Sequence, residues 1–298
     1  MLTPFTICYH LGAPHTNEDL VVWSLRKQPG LSRDRGVFVP RPRHYRTAII
    51  EAAADLRGEP ATEEFQRDLL TKMLGEVDQS TINRLILSSD NFLSFPAHVF
   101  QSGGLYMKSG EKTRWMRNLF PDNPCEFHLA IVNPATFVPT TFNTRERQSY
   151  EAFMDGTPLH DVRWSSVIER IRDANPDCLI TVWCNEDSPV VWSTVLHELA
   201  GTDFNTEMLG SLDIVERIMT AEGFERLTQY LADRDFLNEV QRREVIAIFL
   251  DKYADPDAVE AEIDLPNWND QTIAALTQLY EEDISRIERM QGVDFIEP

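Results

Sequence analysis

The chain has 298 residues, of which 28 are basic and 48 acidic, and its formal net charge is -20 at pH 7. A negative field of this size repels nucleic acids and anionic membrane surfaces, so we expect neither as a partner. No apolar run approaches the roughly 20 residues of a membrane helix. The first residues also lack the basic and apolar regions of a signal peptide. The composition therefore predicts a cytoplasmic protein without membrane insertion.

Four short apolar runs predict buried strands, and each leads into a polar junction followed by a helical pattern. The runs cover 6–11, 84–88, 127–132 and 179–184. Strands that alternate with helices predict an α/β fold, with a mainly parallel sheet covered by helices on both faces. Such sheets bind ligands at the carboxyl ends of their strands. We therefore expect a site where these four runs end.

Helical periodicity is clear in the second half of the chain. The segments 164–171 and 192–199 carry apolar residues at helical spacing and predict helices that cover the sheet. Beyond residue 210 the strand signals stop, and 214–231, 239–253 and 270–290 predict amphipathic helices. We expect an α/β core over 1–205 and a helical extension over 206–298 packed on it. The apolar stripe of the last helix indicates a core face or a homodimer face.

The turn after the first predicted strand has the layout of a phosphate site. A strand, Gly12 and a helix start place unpaired N–H groups and a positive dipole where an anion can bind. Here, however, Asn17, Glu18 and Asp19 occupy the helix start. Asn is a good N-cap and acidic residues stabilise a first helical turn, so a purely structural interpretation also fits.

One basic island lies within 33–46 of this acidic chain. Its prolines predict an extended loop rather than a helix. The loop would present Arg41, Arg43, His44 and Arg46, either as a solvated surface paired with nearby carboxylates or as an anion site. In the second case it would bind a sulfate, a phosphate or a carboxylate substrate.

Other candidate groups give weaker patterns. Ser88 and Asp90 follow a strand and either orient a hydroxyl substrate or cap a helix. His10, His15, Glu18 and Asp19 are suitable metal ligands, but their spacing fits no metal site, so we predict none. The cysteines fit neither a zinc pattern nor a CxxC pair, and we assign them no chemistry and expect reduced, buried thiols. They are Cys8, Cys125, Cys178 and Cys184.

The order of these segments resembles the P-loop-like sulfotransferases, especially bacterial members that modify carbohydrates. The family pattern His-x-Gly-x-x-Lys-Thr-Gly-Thr-Thr ends the first strand, and the chain matches it at His10, Gly12 and Thr16. The family lysine falls on His15. Its following glycine and two hydroxyl residues fall on Asn17, Glu18 and Asp19.

Later segments extend the resemblance. Residues 87–92 are similar to the family's Ser-Ser-Glu-x-Phe step near the acceptor. Asn133, Pro134 and Phe142 match the family's third strand and its following helix, where Thr140 keeps a hydroxyl and Val132 replaces the arginine. The resemblance implies 3′-phosphoadenosine 5′-phosphosulfate as the donor and a carbohydrate or small anion as the acceptor. The donor would contact Gly12, Thr16, Asn133 and Thr140.

Three hypotheses follow. In the first, the chain is a sulfotransferase-like enzyme with an altered donor site. In the second, it is a degenerate member that keeps the fold as a binding or scaffold protein; in the third, it is an unrelated α/β enzyme. Losing the lysine and the arginine removes positive charge that sulfuryl transfer needs, which favours the second hypothesis. The first would use His15, His10 and Asp90 for catalysis and Arg41, Arg43, Arg46 and Ser88 for the anion.

Overall fold

In the computed structural model, which describes residues 4–143, 149–234, 237–259, 265 and 268–298, six parallel strands form one sheet. The strands are β1 (Thr6–Leu11), β2 (Val37–Phe38), β3 (Arg84–Ser89), β4 (Cys125–Ile131), β5 (Leu179–Cys184) and β6 (Val293–Ile296). Their order across the sheet is β2-β3-β1-β4-β5-β6, and every pairing is parallel. The sheet confirms the predicted α/β class.

The strands predicted from apolar runs are the four central ones. Strands β1 and β5 have the predicted bounds, β3 is one residue longer, and β4 begins two residues earlier. The two edge strands were not predicted. Strand β2 has two residues and β6 has four, so neither carries a long apolar run. The expectation that strands stop beyond residue 210 was wrong, because β6 pairs with β5.

Helices cover both faces of the sheet among the described residues. They are α1 (Glu18–Arg26), α2 (Pro29–Arg35), α3 (Pro42–Leu56), α4 (Glu63–Leu74), α5 (Ser109–Arg117), α6 (Pro134–Asn143), α7 (Tyr150–Met154), α8 (Trp164–Ala174), α9 (Ser188–Ala200), α10 (Asp213–Ile218), α11 (Ala221–Ala232), α12 (Glu239–Tyr253), α13 (Pro256–Val259) and α14 (Asp270–Ile287). The predicted helices at 164–171 and 192–199 are the cores of α8 and α9.

Alternation along the strands divides the core into two layers. Tyr9 and Phe127 face one layer and stack on each other with ring centroids 5.9 Å apart. Trp183 faces the other layer, where it packs with Trp192 and Leu196 of α9. Each fully buried large apolar side chain stabilises the fold by about 1.5–3 kcal/mol. Both faces are therefore held by apolar packing, as the pattern of buried parallel strands predicts.

The basic island is helical at both ends, and only its middle, with β2 and Arg41, is extended as predicted. Helix α2 ends at Arg35, and α3 begins at Pro42 and includes Arg43, His44 and Arg46. Proline is compatible with the first turn of a helix, because the N–H that it lacks would have no helical partner there. The error came from treating Pro42 as a helix breaker rather than as a helix start.

The C-terminal segment contributes to the same sheet and core. The stretch 214–231 forms two helices, α10 and α11, whereas α12 matches its predicted bounds. Helix α14 packs on α6 and α8, and its Leu276, Tyr280 and Ile287 are buried. That face of α14 is core within this chain; a homodimer and the division at residue 205 stay predictions. In the described part of the chain, no helix has the length and apolarity needed to cross a membrane.

Candidate functional site

The turn after β1 is held by its own backbone. Gly12 donates its N–H to the Ser89 carbonyl, and a Cβ on Gly12 would lie 3.0 Å from the backbone of Asp90. Glycine is thus required here by the close approach of two strand ends. The buried Thr16 donates both its N–H and its hydroxyl to the Ala13 carbonyl, the hydroxyl at 2.7 Å. The Thr16 hydroxyl therefore already donates its hydrogen within the turn.

Two residues of this turn adopt left-handed backbone conformations. His15 has a φ of 69° and Asn17 a φ of 63°. Asn17 stands at the N-cap position of α1, but its side chain makes no capping hydrogen bond. The expected N-cap contact is absent because an N-cap side chain reaches back from an extended backbone, not from a left-handed one. His15 is exposed.

Three carboxylates gather beside the turn, and we call this group, with Arg46, the carboxylate turn: Glu18, Asp19, Asp90 and Arg46. Burial, and next the charge of Asp90, raise the pKa of Glu18. Burial also raises the pKa of Asp90, which Arg46 opposes. Both shifts mean that the negative charge is poorly stabilised here. A sulfonate or phosphate brought to this turn would meet further like charge.

Among the arginines of the basic island, Arg46 contacts the carboxylate turn. It pairs with Asp19 at 2.8 Å and donates from Nε to the Ser88 carbonyl at 2.9 Å. Arg43 is exposed and donates to His44 instead. Arg41 is the exposed N-cap residue of α3. The structure therefore brings one of the three predicted anion-binding arginines into hydrogen-bonding contact with the strand ends.

His10 and Ser88 lie beneath the turn, on neighbouring strands. His10 is fully buried, and its Nδ1 lies 2.8 Å from the Ser88 hydroxyl. That hydroxyl donates to the Glu18 carbonyl, so Nδ1 carries the hydrogen of the imidazole. Burial, and next the charge of His128, lower the pKa of His10 to about 3. His10 is therefore neutral at pH 7 and stacks on Trp183.

The residues matched to the second half of the donor site are used for structure. The Asn133 side chain caps α6 by accepting from Ala135 N at 3.0 Å, and its backbone N–H donates to the carboxylate of Glu186 at 2.7 Å. Thr140 donates to the Thr136 carbonyl one turn earlier. Val132 is buried. The Glu186 carboxylate thus already accepts from the backbone amide of Asn133, which the predicted donor site would offer to a phosphate.

A pocket that the sequence analysis missed opens beside the carboxylate turn. Its volume is about 180 Å³, and Phe92, Leu93, Phe95 and Met107 form apolar walls. Asn91, Tyr106, His98, Lys108 and Lys112 supply its polar groups, and no Asp or Glu is among the described residues that line it. The spacing of Lys108 and Lys112 at one helical turn was a signal in the sequence, but nothing there located the pocket.

Two buried polar atoms of the pocket residues have no partner. They are the Tyr106 hydroxyl and the amide oxygen of Asn91, whose nitrogen donates to Asp90 at 2.7 Å. Tyr106 has a φ of 43° and is 3% exposed. Burial, with a smaller effect from Asp90, raises the pKa of Tyr106. Because buried polar groups rarely go unpaired, these atoms are suited to hydrogen-bond a ligand.

A second polar group, which we call the strand cluster, lies on one face of β1, β3 and β4: Cys8, Arg84, Glu126 and His128. Arg84 donates from Nη1 and Nη2 to the two carboxylate oxygens of Glu126, and from Nε to the Leu199 carbonyl at the end of α9. Burial would raise the pKa of Glu126, but His128 and Arg84 lower it to about 2. Burial would lower the pKa of His128, but Cys8 and Glu126 raise it to about 9.

The strand cluster is also where the described residues offer mixed metal ligands. One donor atom each from Cys8, Glu126 and His128 lie within 4.8 Å of one another. Sulfur, imidazole and carboxylate together suit zinc. The Arg84 guanidinium, however, already neutralises the Glu126 carboxylate. We therefore assign no metal to this cluster.

Comparisons with known proteins give one distant likeness. No family model matches the chain, and no curated protein matches it significantly. Among solved structures, a sulfotransferase domain from the curacin biosynthetic pathway matches with 12% identity and a TM-score of 0.37, over 94% of this chain and 99% of that domain. At this TM-score nothing about the fold or the site follows from the likeness. The α/β class rests on the sheet itself.

Proposed function

We propose that this chain is a sulfotransferase-like protein whose donor site has been lost, and that it acts as a non-catalytic binding protein for a small organic anion. The observation that carries the proposal is the carboxylate turn. Glu18 and Asp19 stand where the family pattern has hydroxyl residues, Asp90 lies close to Glu18, and Arg46 already pairs with Asp19. Two like charges about 4 Å apart repel by roughly 4 kcal/mol near a protein surface.

The donor is tested with its product, 3′-phosphoadenosine 5′-phosphate. We expect no saturable heat in calorimetry and no rise in melting temperature at millimolar concentration, because only a ligand that binds the folded state stabilises it. A matched variant restores the family pattern with His15→Lys, Asn17→Gly, Glu18→Thr, Asp19→Thr and Val132→Arg. We expect this variant to bind more tightly than the native chain. Saturable binding by the native chain would overturn the loss of the donor site.

The pocket beside Asp90 supports the choice of ligand. Its rim carries Lys108, Lys112 and His98 without a lining carboxylate, in a chain of net charge -20. Its interior offers aromatic surface and the unpaired atoms of Tyr106 and Asn91. A sugar acid has both an anionic group and hydroxyls for these partners. This choice is consistent with a carbohydrate as the expected ligand class.

Glucuronate, with glucose as the neutral match, tests the pocket. We expect saturable binding of glucuronate, at least tenfold weaker binding of glucose, and weaker glucuronate binding in Lys108→Met/Lys112→Met. Lys72→Met is the control, since Lys72 is an exposed lysine of α4 that pairs distantly with Glu51. Equal binding of the two sugars, or an unchanged affinity in the double variant, contradicts the proposed ligand.

A second candidate, group transfer to a hydroxyl in the pocket, is favoured by one observation. The carboxyl group of Asp90 has a raised pKa and binds Asn91, a residue of the pocket. A carboxylate in this position can accept the proton of an acceptor hydroxyl. Incubation of the native chain with glucuronate and 3′-phosphoadenosine 5′-phosphosulfate, labelled in its sulfonate group, tests this second candidate. Transfer by the native chain that disappears in Asp90→Asn supports an enzyme, and no transfer leaves the binding function.

A further inference from the structure

Two cysteines lie side by side at the N-terminal ends of strands β4 and β5. The candidate site lies at the opposite, C-terminal ends of the strands. Glu126 of β4 pairs with Leu179 of β5, and Cys125 and Cys178 are the residues directly before this pair. Continuing the register sets the two cysteines side by side. Neighbouring strands lie about 4.8 Å apart, and disulfides join Cα atoms separated by roughly 4.4 to 6.8 Å.

Both side chains point into the same layer of the core. Cys125 and Cys178 are packed in the apolar layer that contains Tyr9 and Phe127. They are 7% and 8% exposed, so each keeps a small opening to solvent. A surface pocket lined by Arg117, Asn175 and Asp177 adjoins this position, and Asp177 directly precedes Cys178. This pocket is the side from which a small oxidant would approach Cys178.

The surroundings distinguish the two thiols chemically. The hydrogen bond with Cys125 lowers the pKa of Cys178, and the Arg117 guanidinium acts in the same direction, against burial and the Asp177 carboxylate, which raise it. Burial, and next the contact with Cys178, raise the pKa of Cys125. Arg117 stays in place because it pairs with Asp177 at 3.0 Å. Cys178 is therefore the nucleophilic thiol, and Cys125 is the resolving thiol. This arrangement is typical of redox-active cysteine pairs.

We propose that Cys125 and Cys178 form an oxidisable dithiol that hydrogen peroxide converts to a disulfide between the starts of β4 and β5. The Cys178 thiolate attacks one peroxide oxygen, the O–O bond breaks, and the departing hydroxide takes up a proton to give water. Cys178 is now a sulfenic acid. The Cys125 sulfur then attacks the Cys178 sulfur, the S–O bond breaks, and the second water leaves with the Cys125 proton. Two thiols lose two electrons and one peroxide becomes two waters.

The full chain, first reduced and then treated with peroxide near neutral pH, tests this dithiol. The thiols that remain are alkylated in denaturant, and intact mass and peptide maps are recorded. We expect the loss of two hydrogen masses and a linked peptide that joins Cys125 to Cys178. We also expect the oxidised chain to melt several degrees higher than the reduced chain, because the cross-link constrains the unfolded state.

Cys184→Ser is the matched control. Cys184 is 5% exposed, similar to the pair, but its neighbours are Tyr280 and Asp187 rather than a thiol. This variant should keep the linked peptide, whereas Cys125→Ser and Cys178→Ser should lose it. Any of three results would overturn the proposal. They are a disulfide that uses Cys8 or Cys184, oxygen added to Cys178 while Cys125 remains a free thiol that is then alkylated, and no oxidation at all.

A second probe avoids substitutions that could impair folding. Phenylarsine oxide forms two bonds to a pair of adjacent thiols, so the native chain should take up one arsenical. That arsenical should protect both Cys125 and Cys178 from alkylation. Absence of protection, or protection of a single cysteine, contradicts the proposed pair.

Discussion

The carboxylate turn and the strand cluster contain similar side chains but balance their charges in opposite ways. In the strand cluster, Glu126 lies between Arg84 and His128, and its pKa falls to about 2. In the carboxylate turn, three carboxylates share Arg46, and burial raises the pKa of Glu18 and of Asp90. Burial acts alike in both places. The number of cations within reach decides whether a buried carboxylate stabilises the fold or opposes it.

The largest expected effect follows removal of the cation in the strand cluster. Arg84→Met leaves Glu126 without its guanidinium and removes the donor to the Leu199 carbonyl. We expect a loss of about 3–5 kcal/mol in the free energy of unfolding, measured by urea titration. Arg172→Met is the control, since Arg172 pairs with Asp173 at the surface and should cost no more than about 1 kcal/mol.

A double variant sharpens this result. Arg84→Met/Glu126→Gln removes both partners of this ion pair, so no unpaired carboxylate is left in the cluster. It should recover a large part of the loss caused by Arg84→Met alone. If the double variant is as unstable as the single one, the pair does not carry the stability of this region.

His128 gives the strand cluster a dependence on alkaline pH. Its folded pKa of about 9 lies above the unfolded value of roughly 6.5. The resulting stability is therefore fully present below pH 6.5 and is lost as the pH rises through 9. We expect a decline on the order of 3 kcal/mol between these limits. His128→Gln should be less stable at pH 6 and should flatten this decline; an equal slope in native chain and variant would contradict the assignment.

The carboxylate turn should respond with the opposite sign. Since the folded pKa of Glu18 is raised, the chain loses stability as the pH rises from the unfolded pKa through the folded one, and the loss is complete above it. Glu18→Gln should therefore stabilise the chain at pH 7, by less than about 1 kcal/mol because solvent screens this half-buried group. The gain should vanish near pH 4. Glu225→Gln, at an exposed position in the middle of α11, is the control and should change neither value.

The smallest expected effect concerns the start of α1. Thr62 caps α4 through its hydroxyl, which accepts from Phe65 N at 3.3 Å, and Thr62→Ala should cost about 1 kcal/mol. Asn17 makes no such bond and has a left-handed backbone. Asn17→Gly should therefore be neutral or stabilising by a few tenths of a kcal/mol, because glycine accepts this conformation. A loss equal to that of Thr62→Ala, measured by thermal unfolding, would mean that the Asn17 side chain does support the turn.

The central part of the fold could be predicted because it depends on short-range patterns. An apolar run such as 179–184 gives β5, and helical spacing after residue 164 gives α8. Strand β2, with two residues, carries too little pattern to predict, and α3 was missed because Pro42 fits both a loop and a first helical turn. The sulfotransferase resemblance and the catalytic roles of His15, His10 and Asp90 stay predictions.

The sequence by itself determined the α/β class, the four central strands and the excess of negative charge at the turn after β1. Tertiary structure decided which side chains meet: Arg84 with Glu126, Tyr106 with the pocket beside Asp90, and Cys125 with Cys178. The physical reason is range. Periodicity records which face of an element is buried, whereas the pairing of charges and thiols depends on strand order and register, which long-range packing sets.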